Sequence, residues 1–115
     1  MHPVTEPRPW GSYTILRDRA DCKVKEITVH PGHRLSLQSH TYRDEKWTVV
    51  SGTGRVTRNN ERLTLSYGES IEIAAGQKHR MENPGTEELT FIEIQTGSYF
   101  GEDDIIRYED DYNRT

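Results

Sequence analysis

Four side chains of types that hold a metal ion stand at spacings that could bring them together: Gln38, His40, Glu45 and His79. Gln38 and His40 stand two apart in a strand-like run, so they point to one face, while Leu35 and Leu37 point to the other. Glu45 follows His40 closely enough for a short turn to return its carboxylate to the pair. His79, from a distant segment, is the candidate for the fourth donor. Burying a carboxamide and an imidazole inside a small protein costs roughly a few kcal/mol unless each finds a partner. A metal ion is one such partner, and a buried hydrogen-bond network without metal is the other. One amide oxygen, two imidazoles and one carboxylate form a mixed nitrogen and oxygen set with a single negative charge. That set suits Zn²⁺, Mn²⁺, Fe²⁺, Co²⁺ or Ni²⁺ better than Ca²⁺. Zinc heads the expectation of one divalent transition metal per chain, although ligand type alone does not select among these ions. With open positions, such an ion polarises a carbonyl and stabilises a developing enediolate.

The elements that must position these donors read as strands. Short runs rich in Val, Ile, Thr and Leu recur between turn signals, and helical periodicity is nearly absent, the pattern of an all-β sandwich or barrel. The runs are "YTIL", "KVKEITVH", "RLSLQSH", "KWTVVSG", "GRVTR", "RLTLS", "SIEIA", "HRMEN" and "LTFIEIQ". "VTRNNERL" reads as a tight hairpin, because Asn tolerates positive φ. "KVKEITVH" breaks alternation between Val24 and Ile27, which predicts a β-bulge there. "TEPRPWG" reads as an extended lead-in, with Pro7 and Pro9 holding Glu6 and Arg8 extended. In "GEDDIIRYEDDYNRT", Ile105, Tyr108 and Tyr112 fit one helical face behind acids suited to a helix N-terminus. A short C-terminal helix, or an arm packed on the barrel, is therefore expected.

At 115 residues the chain has room for about one core, so residues 1–115 are read as a single domain. Its net charge of −4 and scattered basic residues give no field for a polyphosphate backbone, and nucleic acid is excluded as a partner. Cys22 is alone, which excludes an intrachain disulfide framework and suits a reducing compartment. No apolar run has the length of a membrane span, and "MHPVTEPRPWG" lacks the apolar segment of a signal peptide. A cytoplasmic protein without membrane partners is expected. His2, His30 and His33 lack ligand spacing and are read as surface or structural groups. Trp10, Trp47, Tyr99 and Phe100 are read as packing residues rather than a sugar platform.

Read together, two segments have the forms G(x)5Q(x)H(x)4E(x)6G, Gly32 to Gly52, and G(x)5A(x)G(x)2H(x)3N, Gly68 to Asn83. These resemble the two motifs of the cupin superfamily, with Gln38 at the usual first His and Ala74 at the usual Pro. The resemblance implies a double-stranded β-helix, a jelly-roll-like barrel with the metal inside. "RPWG", "VKEITVHPG", "LSLQ", "VVSGTG", "HRMENPG" and "GSYFGEDDIIRYEDDYNR" look like the cupin domain of type II phosphomannose isomerases. That domain usually ends a bifunctional isomerase and mannose-1-phosphate guanylyltransferase, whose nucleotide-binding half has no counterpart in this sequence.

The resemblance implies interconversion of mannose 6-phosphate and fructose 6-phosphate through a cis-enediol. A homodimer is expected on separate grounds, because the sheet edges of a small, lean barrel at "PRPWGSYTIL" invite pairing across a two-fold axis. Arg43, Lys46 and Arg107 are the candidates to hold phosphate, as guanidinium forks and a point charge. Glu93, from its strand position, is the candidate base, Glu45 being unavailable if it ligates the ion. Where the family typically reads R-A-E-H-W, this chain reads "RDEKW", Arg43 to Trp47, with Lys46 at the position of a His. If that His moves a proton, Lys46 changes a catalytic position; if it holds substrate, Lys46 still attracts phosphate. The alternatives are a non-catalytic sugar-phosphate or sugar-nucleotide binder and a metal-dependent dioxygenase.

Overall fold

Alternation along the strands decides which side chains enter the barrel, and register decides the depth at which they meet. The computed structural model describes residues 4–112. Among the described residues eleven strands appear in chain order: β1 (Thr5–Arg8), β2 (Gly11–Asp18), β3 (Cys22–Val29), β4 (Leu37–Ser39), β5 (Arg43–Ser51), β6 (Gly54–Arg58), β7 (Glu61–Leu65), β8 (Ser70–Ile73), β9 (His79–Glu82), β10 (Leu89–Gly97) and β11 (Ile106–Glu109). A six-stranded sheet has the order β1-β2-β3-β10-β5-β8, and a five-stranded sheet the order β11-β4-β9-β6-β7. Every strand pairing is antiparallel. No helix among the described residues is long and apolar enough to cross a membrane.

Inward residues of three neighbouring strands form layers. Val29 stands opposite Leu89, Ile27 opposite Phe91, Lys25 opposite Glu93 and Lys23 opposite Gln95. On the other flank of β10, Phe91 faces Val49, Glu93 faces Trp47, Gln95 faces Glu45 and Gly97 faces Arg43. The interior is therefore apolar at one end and polar at the other. The apolar end joins Ile27, Val29, Val49, Leu89 and Phe91 to Val56, Leu65 and Met81 of the second sheet. Burying a side chain of this size fully contributes about 1.5–3 kcal/mol, which anchors the end that carries no polar demand. The polar end buries Lys23, Lys25, His40, Arg43, Glu45, His79, Glu93 and Gln95, each of which needs a partner.

The barrel departs from the sequence reading in two places and decides between the two forms expected of the C-terminal segment. The bulge lies on β2, where the register shifts between Ile15 and Arg17 opposite Lys25 and Val24. Strand β3 itself alternates regularly, because Lys23 and Lys25 face inward with Ile27 and Val29 while Val24 does not. Strand β4 covers Leu37–Ser39 alone, so the alternation does not extend back to Leu35, which packs on the core. The C-terminal segment forms the arm rather than the helix. Its strand β11 pairs with β4, and Arg80 holds it by donating to the Glu109 carboxylate at 2.9 Å and to the Leu35 carbonyl at 2.9 Å. The hairpin at Asn59 and Asn60 forms as expected, with Asn59 at φ 52°.

Candidate metal centre and its cavity

The turn between β4 and β5 and the start of β9 bring His40, Glu45 and His79 together. Gln38 stands directly opposite His79 in the β4–β9 pair, so the two side chains leave the sheet on one face. His40 ends the approach to the turn, and Glu45 is the inward residue two after Arg43 on β5. His40 Nε2 lies 3.3 Å from Glu45 Oε2, and His79 Nε2 lies 3.7 Å from Glu45 Oε1. All three side chains are buried.

The outer nitrogens fix the tautomers. His40 Nδ1 lies 2.6 Å from the Asp104 carbonyl, and His79 Nδ1 lies 3.0 Å from the Gln77 carbonyl. A carbonyl only accepts, so each Nδ1 carries the proton and each Nε2 presents its lone pair to Glu45. Burial, with the Arg43 guanidinium second, lowers the His40 pKa to about 4. Burial likewise lowers that of His79, so both rings are neutral at pH 7.

These residues fit a divalent transition metal. The three donor atoms lie within 4.8 Å of one another. With metal–nitrogen bonds of about 2.1 Å, neighbouring donors around one ion sit roughly 3.0 to 3.5 Å apart, close to the spacings from Glu45 to the two rings. Each imidazole is also oriented by a backbone carbonyl, the usual outer support of a metal-binding histidine. Arg43 shares this region: its Nε donates to Glu45 Oε2 at 2.8 Å and its Nη2 approaches His40 Nε2 at 3.0 Å. The neutral ring has one lone pair there, so a metal ion and Arg43 compete for it.

Beside the donors lies a cavity of about 190 Å³. Its wall includes Arg8, Lys25, Arg43 and Arg107 as cations and Glu93 and Glu102 as acids, with Gln38 and Trp10 among the rest. Gln38 gives its amide nitrogen to Ser36 Oγ at 2.9 Å, a bond that does not use its oxygen. Lys25 pairs with Glu102 at 2.9 Å, and Arg107 Nε is buried with no hydrogen-bond partner among the described residues. The Trp47 indole donates to Glu45 Oε1 at 2.9 Å and to Glu93 Oε1 at 3.2 Å, and Gln95 Nε2 donates to Glu93 Oε2 at 2.8 Å. Burial first, and the neighbouring Glu45 second, raise the Glu93 pKa to about 7. That carboxyl exchanges a proton near neutrality, as a general base must.

Comparison with known proteins joins this geometry to a family. The family model described as "Mannose-6-phosphate isomerase C-terminal" matches residues 2–110. The chain belongs to this family. It is 53% identical over 108 residues to the xanthan biosynthesis protein XanB of Xanthomonas campestris, covering 94% of this chain and 23% of that protein. It is 50% identical over 107 residues to the mannose-1-phosphate guanylyltransferase ManC of Salmonella typhimurium, covering 93% of this chain and 22% of that protein. The chain thus spans less than a quarter of the length of these relatives. Among solved structures, the capsular polysaccharide assembling protein CapF of Staphylococcus aureus superposes with a TM-score of 0.81 at 24% identity, over 94% of this chain and 34% of that one. A double-stranded β-helix protein of Klebsiella pneumoniae gives a TM-score of 0.74 at 22% identity, over 93% of this chain and 84% of that one. Both likenesses show the fold, and the all-β cupin barrel implied by the two motifs is the one found.

The expected site residues divide by face. His40, Glu45 and His79 converge, and Gln38, opposite His79 on β4, lines the cavity beside them with Arg43, Glu93 and Arg107. Lys46 does not join them. It lies between the inward residues Glu45 and Trp47, is exposed on the outer face of β5, and has Glu72 and Ile94 as its register neighbours. The expectation that Lys46 holds phosphate or occupies a catalytic position is corrected by strand parity. Sequence reading missed Lys25, Glu102, Asp104, Trp47 and Gln95 as parts of the site; the inward lysines were legible only as the apparent break in β3. Trp10, Trp47 and Phe100 are buried as expected, whereas Tyr99 is exposed. His30 pairs with Glu88 and His33 with the Tyr112 hydroxyl, while His2 lies outside the described residues.

Proposed function

We propose that this chain, read as one cupin domain, is a metal-dependent isomerase of mannose 6-phosphate and fructose 6-phosphate. The observation that carries this reading is the adjacency of a three-donor centre to a cationic cavity whose buried acid, Glu93, titrates near pH 7. Gln38, His40, Glu45 and His79 would hold one divalent ion. When bound, that ion supplies Lewis acidity for negative charge developing on the C1 and C2 oxygens of the sugar.

The chain's own groups do the rest. Glu93 removes the proton from C2 of the aldose and returns it to C1 of the cis-enediol, while the hydroxyl proton passes from O2 to O1, so acid and base roles alternate on one carboxyl. Trp47 and Gln95 keep that carboxyl aimed while its charge changes. Arg107 and Lys25 receive the phosphate, Arg107 with a buried donor to spare and Lys25 by exchanging Glu102 for the ligand. Arg43, already charge-paired with Glu45, stabilises anionic oxygen between the two ends. Lys46 has no part in this scheme, because it faces away from the cavity.

The near-neutral pKa of Glu93 favours turnover over binding alone. In a coupled assay for fructose 6-phosphate, the chain supplied with Zn²⁺, Mn²⁺, Fe²⁺, Co²⁺ or Ni²⁺ in turn should convert mannose 6-phosphate with at least one of them. Oxygen uptake with Fe²⁺ should stay at background. Binding of mannose 6-phosphate without conversion under every ion would instead identify a non-catalytic binder.

A further inference from the structure

Residues 40–42 lie between β4 and β5, outside both strands, and they set the position of His40 and the entry of Arg43 and Glu45. One residue of the C-terminal arm holds this turn. Asp104 Oδ1 accepts from the Thr41 amide at 2.9 Å and Oδ2 from the Tyr42 amide at 2.9 Å. Its main-chain carbonyl accepts from His40 Nδ1 at 2.6 Å, and its own amide donates to the Gly101 carbonyl at 3.1 Å, which closes the turn that presents it. Three consecutive residues, the first a candidate ligand, are thus held from outside the barrel by a single aspartate.

We infer that Asp104 is a positioning residue for the metal centre: by clamping the 40–42 turn with its carboxylate, it presents its carbonyl to His40 Nδ1 and so holds His40 Nε2 toward Glu45. The inference rests on reading His40 as a metal ligand, and it assigns part of the centre to the C-terminal arm, far from both motifs in sequence. An unclamped imidazole can rotate or exchange its proton between nitrogens, and either change removes the inward lone pair. Outer groups that orient metal-bound histidines typically contribute 10–100-fold to affinity.

Two readouts separate this inference from the metal reading. In the metal-free full chain, ¹⁵N NMR of the imidazoles should show His40 as a single Nδ1–H tautomer. Asp104→Ala should show mixed tautomers at His40 and an unchanged His79. Asp104→Asn, which keeps one acceptor for the turn, should fall between them and guards against loss of folding in the alanine variant. In Zn²⁺ competition with a chromogenic chelator, Asp104→Ala should bind about 10–100-fold more weakly than the wild type, and its Co²⁺ absorption spectrum should shift. A mixed tautomer in Asp104→Ala alongside a wild type that binds no metal would support the positioning role and defeat the metal reading. An unchanged His40 tautomer in both variants, or wild-type metal affinity with an unshifted Co²⁺ spectrum, would overturn the role given to Asp104.

Discussion

At the scale of the residue, the site is a set of groups whose ordinary charge states burial has moved. His40 falls to about 4 from 6.5, so its contribution to stability is complete above pH 6.5 and lost as pH falls through about 4. Glu93 runs the other way: raised to about 7 from 4.5, its contribution is complete below pH 4.5 and lost as pH rises through about 7. Between pH 4.5 and 6.5 the two slopes oppose each other in metal-free protein. Glu93→Gln removes the falling slope, so urea melts of chelator-treated variant should gain stability with pH over that window more steeply than wild type, by about 1.4 kcal/mol per pH unit. An identical pH dependence in the two proteins would place that proton on another group. The same substitution should lower kcat by about 100-fold or more while metal content stays at the wild-type level. Lys46 gives the opposite expectation. Because it is exposed on the outer face of β5, Lys46→Ala and Lys46→His should each leave kcat and KM within about two-fold of wild type, the range of a surface change of roughly 0.5 kcal/mol. A large gain in turnover for Lys46→His would mean that β5 presents this side chain to the cavity after all.

At the scale of the element, the strand order and pairing turn a regular sequence pattern into a two-ended interior. Most strands were legible, since β-branched residues alternate with polar ones between Gly, Pro and Asn turn signals. Strand β3 is the exception, because a pattern of apolar side chains breaks at Val24, whereas in the polar end the inward residues are Lys23 and Lys25. The donors were legible because their spacing is strand spacing, but Lys46 was not, since one step along β5 reverses the face. The arm was ambiguous for a physical reason. Ile105, Tyr108 and Tyr112 repeat at helical intervals, yet pairing with β4 and the ion pairs Arg80–Glu109 and Arg34–Asp111 decide for an extended chain. Nothing local announces those partners. Glycine at the end of β10 shows the same dependence on distant contacts: Gly97 has φ 148°, and a Cβ there would collide with the Tyr42 carbonyl. Gly97→Ala should lower stability by about 2 kcal/mol or more and weaken metal binding through the 40–42 turn, read by thermal melts and chelator competition. An alanine variant as stable as wild type would show that the turn and β10 can separate at little cost.

At the scale of the whole molecule, a lean chain folds by giving one end of its barrel to packing and the other to chemistry. The first sheet ends at β1, a short edge strand beside the exposed side chains of Val4 and Leu16, and pairing of this edge across a two-fold axis would enlarge the buried area. Light scattering at micromolar concentration should give the mass of two chains, and a monomer there would remove the proposed dimer. The centre itself should hold about one ion per chain, released on acidification as His40 and His79 take up protons. His40→Ala and His79→Ala should each lose it. The decisive measurement is a metal titration of chelator-stripped chain with fructose 6-phosphate formation from mannose 6-phosphate as the signal. Turnover should rise linearly, reach a plateau at about one equivalent and be absent from His79→Ala at the same metal concentration. One ion bound per chain through His40 and His79, with no fructose 6-phosphate formed under any of the five divalent ions, would contradict the isomerase.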